Sequence, residues 1–187
     1  VLEAVRASSG VTLLDMGCGD GTLCRSFASA SATVHAFDIS PNLIECASKA
    51  EMDVPLGITY SVAQPETYAS SIRADYVTTV MVLPYSCNAA NLTEFFRCAY
   101  EHLKPSGQFV SVIFNPTFTQ FDTLMANRKF SKNGENVDVS FLDSTGRTAF
   151  KSTLQQFGTE IYEAAAIDAG FTKIEWFSLY PNSEAVE

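Results

Sequence analysis

The sequence predicts an α/β fold: a doubly wound, mostly parallel sheet with helices on both faces and a hairpin insert near the end. Three observations predict it. Short β-branched and aliphatic runs alternate with segments of helical spacing through the first two thirds of the chain. The run Tyr76 to Leu83 is almost uninterruptedly apolar, as a strand covered on both faces is. A glycine-rich turn, Asp15-Met16-Gly17-Cys18-Gly19-Asp20-Gly21, joins the first strand to the first helix.

Val11 to Leu14 is the first strand, ending at Asp15, and Thr22 to Ala30 the first helix, with Leu23 and Phe27 on one face. Thr33 to Phe37 is the second strand, ending at Asp38. Ser40 then supplies an N-cap and Pro41 a first helical residue for a helix carrying Leu43, Ile44 and Ala47. Ile58 to Val62 is the third strand and Tyr76 to Leu83 the fourth. Asn91 through Leu103 spaces Leu92, Phe95, Phe96, Ala99 and Leu103 as a helical stripe, with Glu94 three residues after Asn91 as in a capping box; Pro105 and Gly107 stop it. Phe109 to Phe114 is the fifth strand, closed by Asn115-Pro116. Phe118, Phe121, Leu124 and Met125 suggest a short helix. Val137 to Phe141 and Thr148 to Phe157 flank the hairpin turn Asp143-Ser144-Thr145-Gly146. Glu160 to Ala169 is a last helix, ended by Gly170, and Phe171 to Leu179 a last strand. Short connections between alternating elements imply right-handed crossovers.

A chain of 187 residues is one domain's worth, spanning 1–187 with 117–157 as a lid over one end of the sheet. Its net charge of −9 argues against nucleic acid and against an anionic membrane surface, and no apolar run approaches the ~20 residues of a membrane span. A small neutral or cationic partner fits better. The five cysteines, at 18, 24, 46, 87 and 98, contain no C-x-x-C pair, so a disulfide framework and a zinc knuckle are both disfavoured and a reducing, cytoplasmic setting is expected. His35 and His102 have no ligand-spaced neighbours, so no metal site is expected. No charged n-region precedes an apolar h-region, so no signal peptide is expected either.

Ligands of open α/β sheets bind beyond the carboxyl ends of the strands, where glycines let them approach the backbone. The second strand ends at Asp38, 21 residues after Gly17, where a carboxylate can accept from two vicinal ribose hydroxyls. A dinucleotide fingerprint starting at Gly17 needs glycine or alanine at position 22, and the chain has Thr22; its third glycine stands at 21. The form D-x-G-x-G-x-G instead resembles motif I of the class I S-adenosylmethionine-dependent methyltransferases, whose fold is Rossmann-like. The resemblance covers most of the chain. It includes Leu14 through Gly21, Asp38, the strand opening Ala74-Asp75-Tyr76-Val77, and Leu103-Lys104-Pro105-Ser106-Gly107-Gln108-Phe109.

By this resemblance the cofactor is S-adenosylmethionine, with S-adenosylhomocysteine as product. Its methionine part would be lined by Gly17, Cys18 and Gly19, with the Asp15 carboxylate near its amino group. Asp38 would hold the ribose and Ile39 would pack on adenine. Ala63 and Gln64 stand where the family has a small residue followed by aspartate, and the Gln64 carbonyl can accept from the adenine amine. Val80 and Met81 would face the cofactor. The family's sheet ends with a seventh, antiparallel strand beside the fifth; ten residues before Val11 and eight after Leu179 predict that this strand is missing, leaving six strands and an exposed gap, either because the chain is truncated at both ends or because those parts are absent.

The implied activity is methyl transfer to nitrogen or oxygen of a small-molecule acceptor. The alternatives are a module that binds S-adenosylmethionine without turnover and an NAD-dependent oxidoreductase. Displacement at a sulfonium needs aim more than acid, and holding two reactants in register can supply ~7–11 kcal/mol. No catalytic base stands out: His35 reads as a packed strand residue and His102 as a solvent-facing cation near a helix end. Tyr85 and Asn115, beyond two strand ends, are placed to touch the acceptor. Val82-Leu83-Pro84-Tyr85 resembles the Asn-Pro-Pro-Tyr box of enzymes that methylate exocyclic amines, without its amide. Leu103 through Pro116 is similar to methyltransferases of the toxoflavin-biosynthesis type, which act on ring nitrogens. Phe118, Phe121, Phe130, Phe141, Phe150 and Phe157 either wall a planar substrate or seal the lid to the sheet. Arg128, Lys129 and Lys132 read as a solvated loop or as a handle for an anionic substrate.

Overall fold

The computed structural model describes residues 5, 7–119, 121–122, 124–125 and 127–178. Strands β1 (Thr12–Met16), β2 (Thr33–Asp38), β3 (Thr59–Val62), β4 (Ala74–Val80) and β5 (Leu103–Val112) form one sheet in the order β3-β2-β1-β4-β5. Every pairing in it is parallel. Chain order reverses between β1 and β4, which makes the carboxyl ends of these two strands the switch point where such sheets bind ligands.

Alternation along the strands sends side chains to two different cores. Leu13, Val34 and Ala36 meet helix α1 (Thr22–Ser29) through Cys24 and Phe27. Helix α2 (Pro41–Asp53) lies beside α1, joined by an Arg25–Glu51 ion pair of 3.1 Å, and Oε1 of Glu51 accepts the amides of Leu56, Gly57 and Ile58 to close the turn into β3. On the other face Leu14, Met16, Phe37 and Val77 pack against α3 (Ala89–His102) and α4 (Thr159–Ala169). Two faces covered by helices account for the apolar run in β4.

The amino ends are tied by Asp75, whose Oδ2 accepts the Thr12 amide and the Lys104 ammonium, each at 2.8 Å. β5 begins at Leu103, six residues before the expected start. Between the pairs Ala74–Leu103 and Tyr76–Gln108 the chain loops out over Lys104 to Gly107, because Pro105 has no amide to offer a ladder. A Cβ at Gly107 would sit 2.9 Å from the Ala74 carbonyl oxygen.

Several expectations are corrected. Helix α3 is capped by Asn88, whose side chain accepts the Asn91 amide at 2.9 Å; Glu94 pairs with Arg97 instead of closing a capping box. β4 ends at Val80, and Leu83–Tyr85 is a 3₁₀ turn. The insert holds no helix among its described residues. It is a four-stranded antiparallel sheet: β6 (Leu124–Met125), β7 (Arg128–Asn133), β8 (Asn136–Leu142) and β9 (Thr148–Gln155). Phe118 and Phe121 pack on Phe130 of this sheet, a long-range contact that overrides their helical spacing, and Arg128, Lys129 and Lys132 lie in a strand rather than a loop.

The main sheet has five described strands, not six. Residues 171–178 form no strand, and Leu179 lies outside the described residues. Side chains hold this segment: Phe171 lies among the rings of Phe96, Tyr100 and Phe109, and Trp176 meets Tyr162 while its Nε1–H donates to Glu163 at 2.8 Å. No described helix is long and apolar enough to cross a membrane.

Candidate cofactor and acceptor site

The loop after β1 carries three glycines with positive φ, at 76° for Gly17, 59° for Gly19 and 78° for Gly21, and the surroundings give each a different task. A Cβ at Gly17 would lie 2.5 Å from Cγ2 of Val82, so Gly17 lets the chain beyond β4 close against the loop. A Cβ at Gly21 would collide with the Tyr60 hydroxyl. Among the described residues nothing lies within 4 Å of the Cβ position at Gly19. Of the three, this is the cradle that a side chain would fill.

The loop's donors are turned inward. The amides of Gly17 and Cys18 both donate to the Phe37 carbonyl, at 2.8 and 3.0 Å, and Gly21 donates to the Cys18 carbonyl at 3.1 Å. Gly19 donates to Oδ2 of Asp38 at 2.9 Å, which ties the loop to the tip of β2. The other Asp38 oxygen accepts the Ser40 amide at 2.9 Å. At the start of α1 the Thr22 amide and hydroxyl donate to Oδ1 of Asp20, at 3.1 and 2.7 Å.

Around Asp38 stand the other predicted residues of this side. Ile39 is 69% exposed, a large apolar side chain at a strand tip with nothing to bury it. The Ala63 amide donates to the Asp38 carbonyl at 3.0 Å, so β3 ends beside β2, and Gln64 follows, exposed. Across the sheet Val80 is half-buried. Met81 has φ 59°, a left-handed conformation that costs a non-glycine residue roughly 1–2 kcal/mol and is held by its amide's 2.7 Å bond to the Val112 carbonyl. Tyr85 is exposed in the 3₁₀ turn beyond β4. Asn115 is exposed beyond β5, its Oδ1 accepting the amide and hydroxyl of Thr117.

Asp15 is placed differently from its companions. It is buried beneath the loop on the α1 side, with Oδ1 accepting the Thr78 hydroxyl at 2.7 Å and Oδ2 the Cys24 thiol at 3.1 Å. Burial raises its carboxyl above the ordinary 3.8, against the lowering effect of those two bonds; the bonded Cys18 thiol and burial likewise push the Cys24 thiol up. A carboxyl whose pKa is higher folded than unfolded lends stability below its unfolded value and loses it as pH rises through the folded one. Asp15→Asn retains an acceptor for Thr78 and carries no charge. Its unfolding temperature relative to the wild type is therefore expected to climb as pH rises above the ordinary carboxylate range and through the raised folded value; a difference that stays constant as pH rises would place the charge of Asp15 outside the balance.

The histidines stay away from the site. Burial lowers the pKa of His35 in β2, whose Nδ1 is buried without a partner among the described residues. His102 is buried rather than solvent-facing. Its Nδ1–H donates to the Cys98 carbonyl at 2.8 Å, and Tyr68, from the connection between β3 and β4, covers its ring. Among the described residues no group of His, Cys, Asp and Glu is arranged to hold a metal. An open cleft near Lys132, Glu135, Gln156 and Gly158 borders the antiparallel insert sheet and contains no strand-tip residue of the main sheet.

A family model described as "Methyltransferase domain" matches residues 2–164. The chain belongs to this family. Curated relatives of the methyltransferase domain include the ubiquinone biosynthesis O-methyltransferase of Methylobacterium sp. (strain 4-46), 29% identical over 117 residues, covering 60% of this chain and 45% of the relative. The ubiquinone biosynthesis O-methyltransferase of Brucella anthropi is 34% identical over 113 residues, covering 59% and 44%. The chain thus spans about half the length of the curated relatives it matches. Among solved structures, the amino pentose methyltransferase of calicheamicin biosynthesis from Micromonospora echinaspora, solved with S-adenosylmethionine bound, aligns with a TM-score of 0.71 at 21% identity, over 90% of this chain and 78% of that one. The sugar N-methyltransferase from Streptoalloteichus sp. aligns with a TM-score of 0.69 at 20% identity, over 90% and 74%. These two likenesses establish the fold of the methyltransferase domain.

Proposed function

We propose that the chain binds S-adenosylmethionine at the tips of β1, β2 and β4 and transfers its methyl group to a small-molecule acceptor held under the lid. The observation that carries the reading is the inward commitment of the loop's amides. A pyrophosphate at this place needs free N–H donors at the start of α1. Here the amides of Gly17, Cys18, Gly19 and Gly21 have acceptors within the chain, and Asp20 puts a carboxylate on the Thr22 amide. Such a loop repels a diphosphate, and the second lone pairs of its carbonyl oxygens suit an ammonium or sulfonium cation.

The residues fit this cofactor. Asp38 spends one amide bond on each oxygen and keeps lone pairs for two ribose hydroxyls. Ile39 offers its exposed face to adenine, with Ala63 and Gln64 at the ring edge. Gly19 leaves room for the methionine part, with Gly17 and Cys18 as its backbone, and Val80 and Met81 close the opposite side. Asp15 supports this floor from below through Thr78 and Cys24, so its role is positioning. S-adenosylmethionine supplies a methyl group on a positively charged sulfur whose departure as a neutral thioether needs no acid. What remains for the protein is to aim the acceptor and exclude water, with Tyr85 and Asn115 on the acceptor side and β9 running beside the 3₁₀ turn that carries Tyr85.

Calorimetric titration with S-adenosylmethionine and with NAD tests the cofactor; binding of NAD alone would overturn the assignment. Incubation with a metabolite extract and S-adenosylmethionine labelled in its methyl group, followed by mass spectrometry, tests turnover. Labelled small molecules are expected, and binding without any labelled product would reduce the chain to a cofactor-binding module.

A further inference from the structure

The lid sheet has one face toward the body of the protein, and that face changes character along its length. Pairing in the ladders sets Lys132, Val137 and Leu154 side by side in one row, Phe130, Val139 and Ser152 in the next, and Arg128, Phe141 and Phe150 in the third. The first two rows are sealed. Val137, Val139, Leu154 and Phe130 are buried, and Phe114, from just beyond β5, stacks on Phe130 at 5.3 Å with Phe118 beside it. The third row continues the same face with less cover: Phe141 is half-buried against that core, while Phe150 is 59% exposed and Arg128 is exposed.

In this row the Arg128 guanidinium lies 5.3 Å from the centre of the Phe141 ring, and the Phe141 and Phe150 rings are 5.5 Å apart. Acidic residues outnumber basic ones by 21 to 12 in this chain, yet among the described residues no carboxylate pairs with Arg128. An exposed ring, Phe150, beside a guanidinium that overlies the half-buried Phe141 has a definite complement: a flat ring to lie on Phe150 and an anion at its edge to take the parallel N–H donors of Arg128.

We infer that Arg128, Phe141 and Phe150 form an acceptor subsite for an aromatic compound carrying a carboxylate. This rests on the reading that the acceptor lies under the lid, and it names the acceptor's class. Phe150 supplies the exposed apolar surface, Phe141 holds the Arg128 guanidinium beside it, and Arg128 supplies the charge selection. Lys132, the other cation of this face, is occupied: its Nζ donates to Gln156 at 2.9 Å and lies over the Phe121 ring.

The test is calorimetric titration of the whole chain with 2-naphthoate and, as its neutral counterpart, 2-naphthamide. The acid is expected to bind about tenfold more tightly. In Arg128→Gln that preference is expected to vanish with amide binding unchanged, Arg128→Lys is expected to retain part of it, and Phe150→Ala to weaken both ligands alike. Equal binding of acid and amide by the wild type, a preference that survives in Arg128→Gln, or no binding of either would each overturn the inference. Titration of the same variants with S-adenosylmethionine separates the two readings. Arg128-dependent selection of the acid without any cofactor binding leaves the subsite standing and removes methyl transfer. Cofactor binding without acid selection removes only the subsite.

Discussion

Asp38→Ala is expected to weaken S-adenosylmethionine binding about 100-fold, because a carboxylate that accepts two hydroxyls loses two charge-assisted hydrogen bonds of roughly 1.5–3 kcal/mol each, part of which water recovers. The same substitution releases the Gly19 and Ser40 amides, so the loop loses its tie to β2. Asp38→Asn separates the two effects. Its single side-chain oxygen can still take the Gly19 amide while offering the ribose one acceptor fewer, so affinity is expected to fall between the two extremes with little change in the unfolding temperature. Calorimetry and thermal unfolding on both variants make the check. An unchanged affinity in Asp38→Ala would remove Asp38 from the ribose and with it the placement of the cofactor.

The second large effect is a contrast between two glycines two residues apart. Gly17→Ala is expected to destabilise the fold by about 2–4 kcal/mol, from a left-handed backbone at φ 76° together with a Cβ driven against both γ-carbons of Val82. Valine has little χ1 freedom with which to move aside. Pairing Gly17→Ala with Val82→Ala is expected to restore part of the loss, a coupling that a double-mutant cycle reads directly. Gly19→Ala meets nothing within 4 Å, so its cost to the fold is expected to stay near the roughly 1–2 kcal/mol of the left-handed conformation. Its effect should fall on the ligand, with S-adenosylmethionine affinity down by about tenfold. Denaturant unfolding and cofactor titration of the two variants would show the exchange. Two variants that lose stability and affinity in equal proportion would mean that Gly19 serves only the turn.

Most of the parallel sheet was legible because its signals are local. Apolar runs in β1, β2 and β4, the cap Ser40 with Pro41, and Gly170 behind α4 act within a few residues of themselves. The motif-bearing loop was legible for the same reason, since its glycines take positive φ whatever surrounds them. The insert sheet was less legible. β7 reads Arg-Lys-Phe-Ser-Lys-Asn, whose inward positions are Arg128, Phe130 and Lys132, so two of three inner residues are charged and the alternation is hidden. Phe118, Phe121 and Leu124 have helical spacing, but the two phenylalanines belong to a core assembled from Phe114, Phe130 and β8, which no local window contains. Of the six insert phenylalanines, Phe118, Phe121, Phe130 and Phe141 pack in the core of the insert sheet, Phe157 packs on Tyr162 of the main core, and Phe150 stands exposed.

The candidate site divides along the same line. Residue type and chain position alone placed a bend of glycines at the end of β1 and a carboxylate at the end of β2, because strand tips of an open parallel sheet gather on one edge wherever short right-handed crossovers connect them. Which way each group faces was decided by the tertiary structure. Burial against α1 turned Asp15 under the floor, the Phe37 carbonyl and Asp38 drew the loop's amides inward, and Val82 and Tyr60 claimed the space beside two of the three glycines. Apart from the Cys24 bond to Asp15, nine residues away, those outcomes depend on neighbours about twenty or more residues along the chain, and a hydrogen bond or a van der Waals contact exists only once the chain has brought both partners within a few ångströms.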